Sequence, residues 1–486
     1  MNNKYEAVIG LEVHAQLLTK SKAFCGCSTK FGNTPNSNTC PICLGHPGVL
    51  PVLNKEVVEF TIKMGLATGC FINEKSIFAR KNYFYPDLPK GYQISQYEEP
   101  ICEHGKIMVK LKDGSEKKIG ITRIHMEEDA GKSIHDQGYE TLIDVNRCGV
   151  PLMEIVSEPD MSSSDEVYQY LSKIKQLVQY LEICDGNMEE GSLRCDANIS
   201  VRLKGIKELG TKREIKNMNS FRNVERAIEF EINKQIEILE DGGTIKQQTL
   251  LWNTELNEAL PMRSKEEAHD YRYFPEPDLL PVIINNKWKS EIENHLPELP
   301  DVRINRMSKQ YNLPNYDVEI LTQNKFIADY YEKVTEITNE YKIASNWIMT
   351  DVLKIINEEK IDIKDFPVSA EDLGELINLI KDGIISSKIA KEIFPIMLTE
   401  KKKPAVIVQE KNLIQISNSS DIEKIINQVL KENSSEVKTY LSGKDKVFGF
   451  LIGKIMKETK GKANPKLVNE LLLKSLEALK KDNLYI

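Results

Sequence analysis

Four cysteines near the N-terminus form two close pairs. One residue separates Cys25 from Cys27, two separate Cys40 from Cys43, and twelve residues lie between the pairs. Four thiolates with this spacing, around a loop rich in Gly, Asn and Pro, suit tetrahedral Zn²⁺. Such a site has no open coordination position, so we expect it to be structural. The alternative is four reduced thiols with no metal between them.

Acidic side chains recur on the polar sides of several strand-like segments. The segments carry Glu12 with His14, Glu127 with Glu128, Asp196, and Glu214 with Lys216. Glu190 lies just before the segment that carries Asp196. Carboxylates on a shared concave surface repel one another unless a cation lies among them. Oxygen ligands with one imidazole are typical of Mg²⁺ or Mn²⁺ sites. The joint pattern predicts a divalent metal centre; the alternative is that each acid is merely solvated.

Two aromatic segments with prolines echo each other, Arg80 to Pro89 and Tyr271 to Asp278. Stiff loops carrying Tyr, Arg and Lys can stack a base and hold phosphates. They can equally anchor a loop in the core. A Walker A loop is not expected before Lys132, because Met126 stands where its first glycine would have to be.

The elements that would position these residues differ along the chain. Val8 to Leu17 and Ser192 to Arg202 alternate apolar and polar residues, as strands with one wet face do. Ser164 to Leu181 and Val224 to Leu239 have helical spacing. Residues 1–295 are therefore predicted to form an α+β body built on an antiparallel sheet.

The remainder is predicted to be helical. Leu296 to Asp301 has the composition of a linker, and Lys401 to Pro404 that of a second break. These breaks divide the chain into residues 1–295, a helical domain at 296–403 and a helical tail at 404–486. Asn464 and Pro465 match the N-cap and first position of a helix in that tail.

Charge is distributed unevenly over the 486 residues. The chain has 65 basic and 73 acidic residues, a net charge of −8, yet from Lys401 onward 17 lysines stand against 10 acids. The chain as a whole is therefore not a basic protein that coats nucleic acid. The positive charge of the tail, by contrast, suits contact with a polyanion. The alternative is a solvated helical tail. No apolar run approaches the ~20 residues of a membrane span, and we expect a cytoplasmic protein without a secretion signal.

Several long segments together resemble the B subunits of aspartyl/glutamyl-tRNA amidotransferases (the GatB family). The segments are Ile9 to His14, Pro47 to Pro51, Arg80 to Tyr85, His125 to Lys132, Ile155 to Asp160, Glu189 to Asp196 and Asp270 to Asp278. The resemblance extends over essentially the whole chain and implies that the body at residues 1–295 is a cradle-like catalytic domain. The tail is similar to the YqeY-like unit that ends the family's members. The cysteine quartet occurs in only part of that family.

The resemblance implies an ATP-dependent carbon–nitrogen ligase within a heterotrimer. The side-chain carboxylate of Glu-tRNA(Gln) or Asp-tRNA(Asn) is phosphorylated by ATP, and ammonia then displaces phosphate. Ammonia comes from glutamine hydrolysed on an amidase subunit, and a small third subunit joins the other two. The implied cofactors are Mg²⁺ and a structural Zn²⁺.

The resemblance also assigns residues. Glu12, His14, Glu127, Glu128 and Glu214 are expected to hold Mg²⁺, with Glu190, Asp196 and Lys216 as further catalytic candidates. Arg80, Lys81, Tyr83 and Arg194 are expected to bind the nucleotide or the tRNA 3′ end. Lys454, Lys457, Lys460 and Lys462 are expected to contact the tRNA backbone. Two other interpretations stay open: a non-catalytic tRNA-binding scaffold and a carboxylate ligase that acts without partner subunits.

Overall fold

The computed structural model describes residues 4–134, 138–262, 271–415, 418–459 and 462–481. The chain divides into two compact units, 1–302 and 303–486. None of the helices in the described ranges is both long and apolar enough to cross a membrane.

All strands of the described residues lie in the first unit. They are β1 (Tyr5–Gln16), β2 (Phe71–Ile72), β3 (Lys75–Ser76), β4 (Ala79–Asn82), β5 (Tyr92–Ser95), β6 (Cys102–Lys110), β7 (Glu116–Glu128), β8 (Lys132–Ile134), β9 (Leu142–Asp144), β10 (Pro151–Ser157), β11 (Leu193–Leu203), β12 (Arg213–Lys216), β13 (Gln248–Asn253), β14 (Glu258–Pro261), β15 (Phe274–Pro275) and β16 (Val282–Ile283).

Nine of these strands form one sheet in the order β14-β13-β12-β11-β1-β10-β7-β6-β2. Every neighbouring pair is antiparallel except β12 and β13. The central strand β1 alternates as its sequence predicts: Ile9, Leu11, Val13 and Ala15 are buried in the hydrophobic core. The residues between them face the other side, where the sheet is polar. The prediction of an α+β fold on a mainly antiparallel sheet is confirmed.

Helices cover the apolar face of this sheet. The first unit contains α1 (Lys55–Ala67), α2 (Ser164–Tyr180), α3 (Phe221–Glu240) and α4 (Asn286–Asn294). Val57, Val167 and Val224, from the first three helices, are buried in the same cluster as β1. The side chains of Ser163 and Ser220 cap α2 and α3 by accepting from the helix N–H groups. Both helices predicted in this region are confirmed, and α3 begins three residues earlier than expected.

A smaller sheet joins the two aromatic segments that echo each other in sequence. Its order is β15-β4-β5, with Phe274 opposite Arg80 in antiparallel register. Two short pairs, β16 with β3 and β8 with β9, complete the strand structure of the described residues. Segments far apart in sequence are thus neighbours through backbone hydrogen bonds.

The second unit is helical. After α5 (Pro300–Tyr311), which begins in the first unit, come α6 (Asn315–Leu321), α7 (Lys325–Thr338), α8 (Tyr341–Trp347), α9 (Leu353–Glu359), α10 (Ala370–Lys381), α11 (Ser387–Glu400), α12 (Pro404–Glu410), α13 (Ser419–Glu432), α14 (Ser434–Leu441), α15 (Lys446–Glu458) and α16 (Pro465–Lys481). Residues Ile348–Val352 between α8 and α9 are π-helical, and Ile363–Asp365 form a 3₁₀ turn.

Two hydrophobic clusters stabilise the second unit. Ile407 and Val408 of α12 are buried in the first cluster, and the second begins with Ile422 of α13. Asn464 caps α16 as predicted, because its Oδ1 accepts from the N–H groups of Lys466 and Leu467. The division at residues 295 and 403 stays a prediction.

Candidate active site

Three strands bring one imidazole and two carboxylates together on the polar face of the large sheet. His14 on β1 lies opposite Glu154 on β10, and Glu127 on β7 lies opposite Leu152 on β10. His14 Nε2 is 3.9 Å from Glu127 Oε1 and 3.8 Å from Glu154 Oε2. Both carboxylates are almost fully buried. We call these three residues the His14 trio.

The His14 trio fits a divalent cation. Its three candidate ligand atoms all lie within 4.8 Å of one another. Two carboxylates buried side by side need a positive charge between them, because burial penalises an uncompensated anion. Carboxylate oxygens with one imidazole nitrogen suit Mg²⁺ or Mn²⁺. Two of the three residues, His14 and Glu127, were predicted from the sequence as metal ligands.

Glu154 is the member that sequence reasoning missed. His125 contacts its carboxylate, because the Nε2 atom of His125 is 3.1 Å from Glu154 Oε2. Although burial opposes it, His125 and then His14 hold the pKa of Glu154 below its usual value. The available signal was a lone acid in the otherwise apolar or neutral strand from Pro151 to Ser157. The Nδ1 atom of His125 is buried without a hydrogen-bond partner among the described residues.

A second group of acids lies beside the trio. Glu12, Asp196 and Glu214 also have ligand atoms within 4.8 Å of one another. Asn198 donates to Glu12 at 3.0 Å, and Glu12 lies opposite Asp196 between β1 and β11. Burial, followed by the charges of Glu154 and Glu214, raises the pKa of Glu12. Glu12 is therefore in the electrostatic field of both groups.

This second group already contains a cation. Lys216 Nζ lies 3.0 Å from Asp196 Oδ2 and 3.1 Å from Glu214 Oε1. Burial alone would lower the pKa of Lys216, but these two carboxylates raise it above the ordinary lysine value. The sequence-predicted residues Glu12, Asp196, Glu214 and Lys216 are thus brought together.

Glu128 and Glu190 are not brought to either group. Successive residues of a strand face opposite sides, so Glu128 points away from Glu127. It forms an ion pair with Lys90 and accepts from the N–H of Ile94 at 2.8 Å. Glu190 lies in an exposed turn, where its N–H is bonded to the side chain of Asn187. Treating Glu127 and Glu128 as one ligand pair ignored this alternation.

An arginine predicted to bind substrate lies next to the trio. Arg194 on β11 is opposite His14, and its Nη2 donates to Asp129 at 2.8 Å. Gln16 donates to the same oxygen at 2.9 Å. Burial opposes ionisation of Asp129, yet Arg194 and Arg147 lower its pKa. Asp129 therefore holds Arg194 in place, while the Nε of Arg194 is buried without a partner in the described ranges.

The aromatic segments contribute a lysine to the same region. Lys81 Nζ lies 4.8 Å from the ring centre of Tyr271. Burial lowers the pKa of Lys81, but Glu127, Tyr273 and Glu154 raise it by more. Its positive charge is therefore felt at the His14 trio. Tyr83, the third candidate here, donates to Gln93 at 3.0 Å, and burial raises its pKa.

Arg80 faces a different set of partners. Its Nε and Nη2 donate to Glu276 at 2.6 and 2.8 Å, and Nη2 also reaches Asp278 at 3.1 Å. The guanidinium lies over the ring of Tyr92, 4.1 Å from its centre. A bidentate ion pair with a buried carboxylate joins the two aromatic segments. In this structure Arg80 is an anchor, and its role in ligand binding stays a prediction.

The four cysteines do converge. The Sγ atoms of Cys25, Cys27, Cys40 and Cys43 lie within 4.8 Å of one another. A tetrahedral Zn²⁺ with bonds of ~2.3 Å to sulfur fits such a cluster. A hydrogen bond from Cys25 is the largest cause that lowers the pKa of Cys43, to about 4. A lowered pKa favours the thiolate, which is the form of cysteine that binds a metal.

The predicted tRNA-binding lysines lie in the last part of the second unit. Lys454 and Lys457 are exposed on α15. Lys462 donates to the backbone oxygen of Asn412 at 2.6 Å. Lys460 lies outside the described residues.

Comparison with known proteins finds matches over nearly the whole chain. Residues 7–290 match the model of the GatB/GatE catalytic domain, and residues 329–476 match that of the GatB domain. The chain is 55% identical to the aspartyl/glutamyl-tRNA(Asn/Gln) amidotransferase B subunit of Chlorobium phaeobacteroides, over 97% of this chain and 99% of that protein. The protein of the same name from Geotalea daltonii is 55% identical over 98% of this chain and 100% of its own length. The chain therefore belongs to the GatB family, the B subunits of aspartyl/glutamyl-tRNA(Asn/Gln) amidotransferases.

Proposed function

We propose that this chain activates and amidates the side-chain carboxylate of Glu-tRNA(Gln), Asp-tRNA(Asn) or both, using ATP and Mg²⁺. It works in the cytoplasm, in a heterotrimer with an amidase subunit that supplies ammonia and a small third subunit. The observation that carries the proposal is the His14 trio, with the cations of Lys81 and Arg194 beside it. The names of the relatives support the tRNA substrates.

The first half-reaction is a phosphoryl transfer. An oxygen of the acceptor carboxylate attacks the γ-phosphorus of ATP, the bond to the β,γ-bridging oxygen breaks, and ADP leaves. The carboxylate is already an anion at pH 7, so the site needs no strong base. A Mg²⁺ ion held by His14, Glu127 and Glu154 would supply positive charge to the phosphate oxygens. Lys81 and Arg194 add cationic donors that can orient the two anionic reactants.

The second half-reaction is an aminolysis. Ammonia attacks the carbonyl carbon of the acyl phosphate, the carbon–oxygen bond to phosphate breaks, and the departing phosphate takes one proton from the nitrogen. Glu128 faces away from the trio and is our candidate acceptor for the proton of ammonium before ammonia reaches the acyl phosphate. Together with Lys90 it lines a cavity of about 190 Å³ that the cysteine loop also walls. That cavity lies on the side of β7 away from Glu127.

A larger cavity on the polar face supports nucleotide binding. Its volume is about 290 Å³, and Glu12, Asn198 and Ser157 line it together with apolar side chains. Through Glu12, this cavity reaches the second acidic group. In that group, Glu12 and Glu214 stay candidates for binding Mg²⁺. Asp196 and Lys216 stay candidates for contact with phosphate. Apolar walls suit a base, and the acidic end suits a nucleotide whose phosphates carry Mg²⁺.

The decisive experiment is an assay of ATP consumption driven by ammonium chloride and Glu-tRNA(Gln). We expect turnover by the complete heterotrimer, and formation of Gln-tRNA(Gln) in step with ADP. A tRNA-binding scaffold would give no ADP under these conditions. A self-sufficient ligase would give equal turnover when the amidase subunit and the small subunit are both omitted. Omitting Mg²⁺ should stop the reaction in every combination of subunits that is active.

We also propose that the exposed face of α15 contacts the tRNA backbone. Gly449 and Gly453 lie on this helix with no atom within 4 Å of where a Cβ would stand. Glycine in a helix interior is unfavourable by ~1 kcal/mol relative to alanine. Two open glycines beside Lys454 and Lys457 are typical of a surface that another backbone approaches closely.

The lysine contribution can be measured through its salt dependence. We expect the variant with Lys454→Ala and Lys457→Ala to bind misacylated tRNA more weakly at low salt. The slope of log K against log salt should become shallower by roughly 1 for each lost phosphate contact. The matched control changes Lys424 and Lys431 of α13 to alanine, which removes the same charge from the same unit. Equal slopes for both variants would contradict a contact localised on α15.

A further inference from the structure

A completely buried lysine lies against the cysteine cluster. The side chain of Lys22 has no exposed surface. Its Nζ donates to the backbone oxygen of Asn38 at 2.7 Å and lies 3.6 Å from Cys43 Sγ. No carboxylate lies within ion-pair distance of Lys22 in the part of the chain that the structure describes. The carboxylate of Glu128 lies near the Lys22 side chain beside Gly149, but its ion-pair partner is Lys90.

This position is unfavourable for an ammonium group unless an anion is present. A charge taken out of water needs a partner of opposite sign as well as hydrogen bonds. The carbonyl of Asn38 supplies only a dipole. Of the two atoms that the ammonium contacts among the described residues, the sulfur of Cys43 is the one that can carry a full negative charge, as a thiolate.

Four thiolates around Zn²⁺ give the metal centre an excess of negative charge. The ion carries +2 and the ligands −4, so the centre has a net charge of −2. Cys25 and Cys43 are both buried, and water therefore screens this charge incompletely. An adjacent ammonium reduces the net charge of the region to −1. Each of the two buried charges is thus compensated by the other.

We propose that Lys22 is the built-in counter-ion of the cysteine site, and that its ammonium stabilises the zinc-loaded state through Cys43. Cys43 accepts a second donor as well, the N–H of Cys40 at 3.2 Å. Hydrogen bonds to a ligating sulfur orient it and reduce the charge that it leaves exposed to attack. The role of Lys22 is independent of the phosphoryl-transfer chemistry, because it concerns only the retention of zinc.

The test uses the full chain and Zn²⁺ alone. Lys22→Met keeps an unbranched side chain that is one atom shorter and removes its charge. We expect the affinity for Zn²⁺, measured by competition with a chromophoric chelator, to fall by about 10–100-fold. The control is Lys30→Met, which removes an exposed lysine from the same loop and should leave the affinity unchanged.

A second readout separates charge compensation from packing. Without zinc, the variant should be as stable as the unaltered chain or more so, because it no longer buries an uncompensated ammonium. With zinc, it should gain less in melting temperature than the unaltered chain does. An equal gain in both proteins, or an unchanged zinc affinity, would overturn the proposal.

A third measurement needs no substitution, so it applies even if Lys22→Met does not fold. Cys25 and Cys43 are 8% and 5% exposed, a closely matched pair. Alkylation of the zinc-loaded chain, mapped by mass spectrometry, should modify Cys25 before Cys43. Equal rates, or faster modification of Cys43, would refute the role of Lys22.

Discussion

Changing Glu154 to glutamine is expected to abolish amidation of misacylated tRNA while leaving the sheet folded. Glutamine has the same shape, so the packing of β10 against β1 and β7 is kept. The change removes one of two buried negative charges at the His14 trio and leaves His125 facing a neutral amide. Loss of ~4 kcal/mol of stabilisation of the transferring phosphoryl group corresponds to a rate about 1,000-fold lower. Glu127→Gln should have an effect of the same size.

The measurement is ammonium-dependent formation of Gln-tRNA(Gln) by the complete heterotrimer. Glutamine hydrolysis by the amidase subunit should continue, which shows that assembly is intact. Glu116→Gln is the matched control, because Glu116 lies on β7 but is exposed and distant in sequence from the trio. Full amidation by the Glu154 variant would remove the trio from the mechanism. A fall caused equally by Glu116→Gln would show that the assay reports a general loss of stability.

Loss of the metal from the cysteine site is expected to open the loop around it. Zinc binding in zinc-finger peptides releases ~10–16 kcal/mol. If only ~3 kcal/mol of this stabilises the loop locally, the open form becomes about 100-fold more frequent without metal. The double change Cys40→Ser and Cys43→Ser should therefore speed proteolytic cleavage between Cys27 and Cys40 by about that factor. Chelation of the unaltered chain should do the same.

Contacts outside the cysteines limit the damage to this loop. Asn38 N–H donates to Asn146 at 2.7 Å, and Val52 N–H donates to the carbonyl of Phe24 at 2.9 Å. We therefore expect the large sheet to keep its stability while the loop opens. Ser28→Ala, an exposed change in the same loop, is the control and should be cleaved like the unaltered chain. A cleavage rate that does not respond to zinc would mean that the site holds no structural metal.

Local rules predicted much of the first unit. Apolar residues at every second position of β1 fixed which side of that strand is buried, because a slip of one residue would expose all of them. Helices α2 and α3 followed from their periodicity alone, and the structure adds the serines that cap them. The echo between the two aromatic segments was visible in the sequence, although their pairing through β4 and β15 was not.

The composition of the active site needed the register between strands. Glu154 has an apolar neighbour on each side, so nothing local distinguished it from a misplaced acid in the core. Only the pairing of β10 with β1 and β7 placed it opposite both His14 and His125. Conversely, Glu127 and Glu128 are adjacent in sequence and were predicted to bind the same metal. The alternation of side chains along β7 places them on opposite faces of the strand.

The amino-acid sequence by itself determined the α+β class, the helical second unit, the cysteine quartet and the family to which the chain belongs. These depend on periodicity, spacing and long motifs, which are properties of neighbouring residues. The tertiary structure alone decided that Glu154 completes the trio, that Arg80 is tied to Glu276, and that Lys22 is buried against Cys43. Each of these depends on a contact between residues far apart in sequence, and such contacts are fixed only when the strands and loops pack.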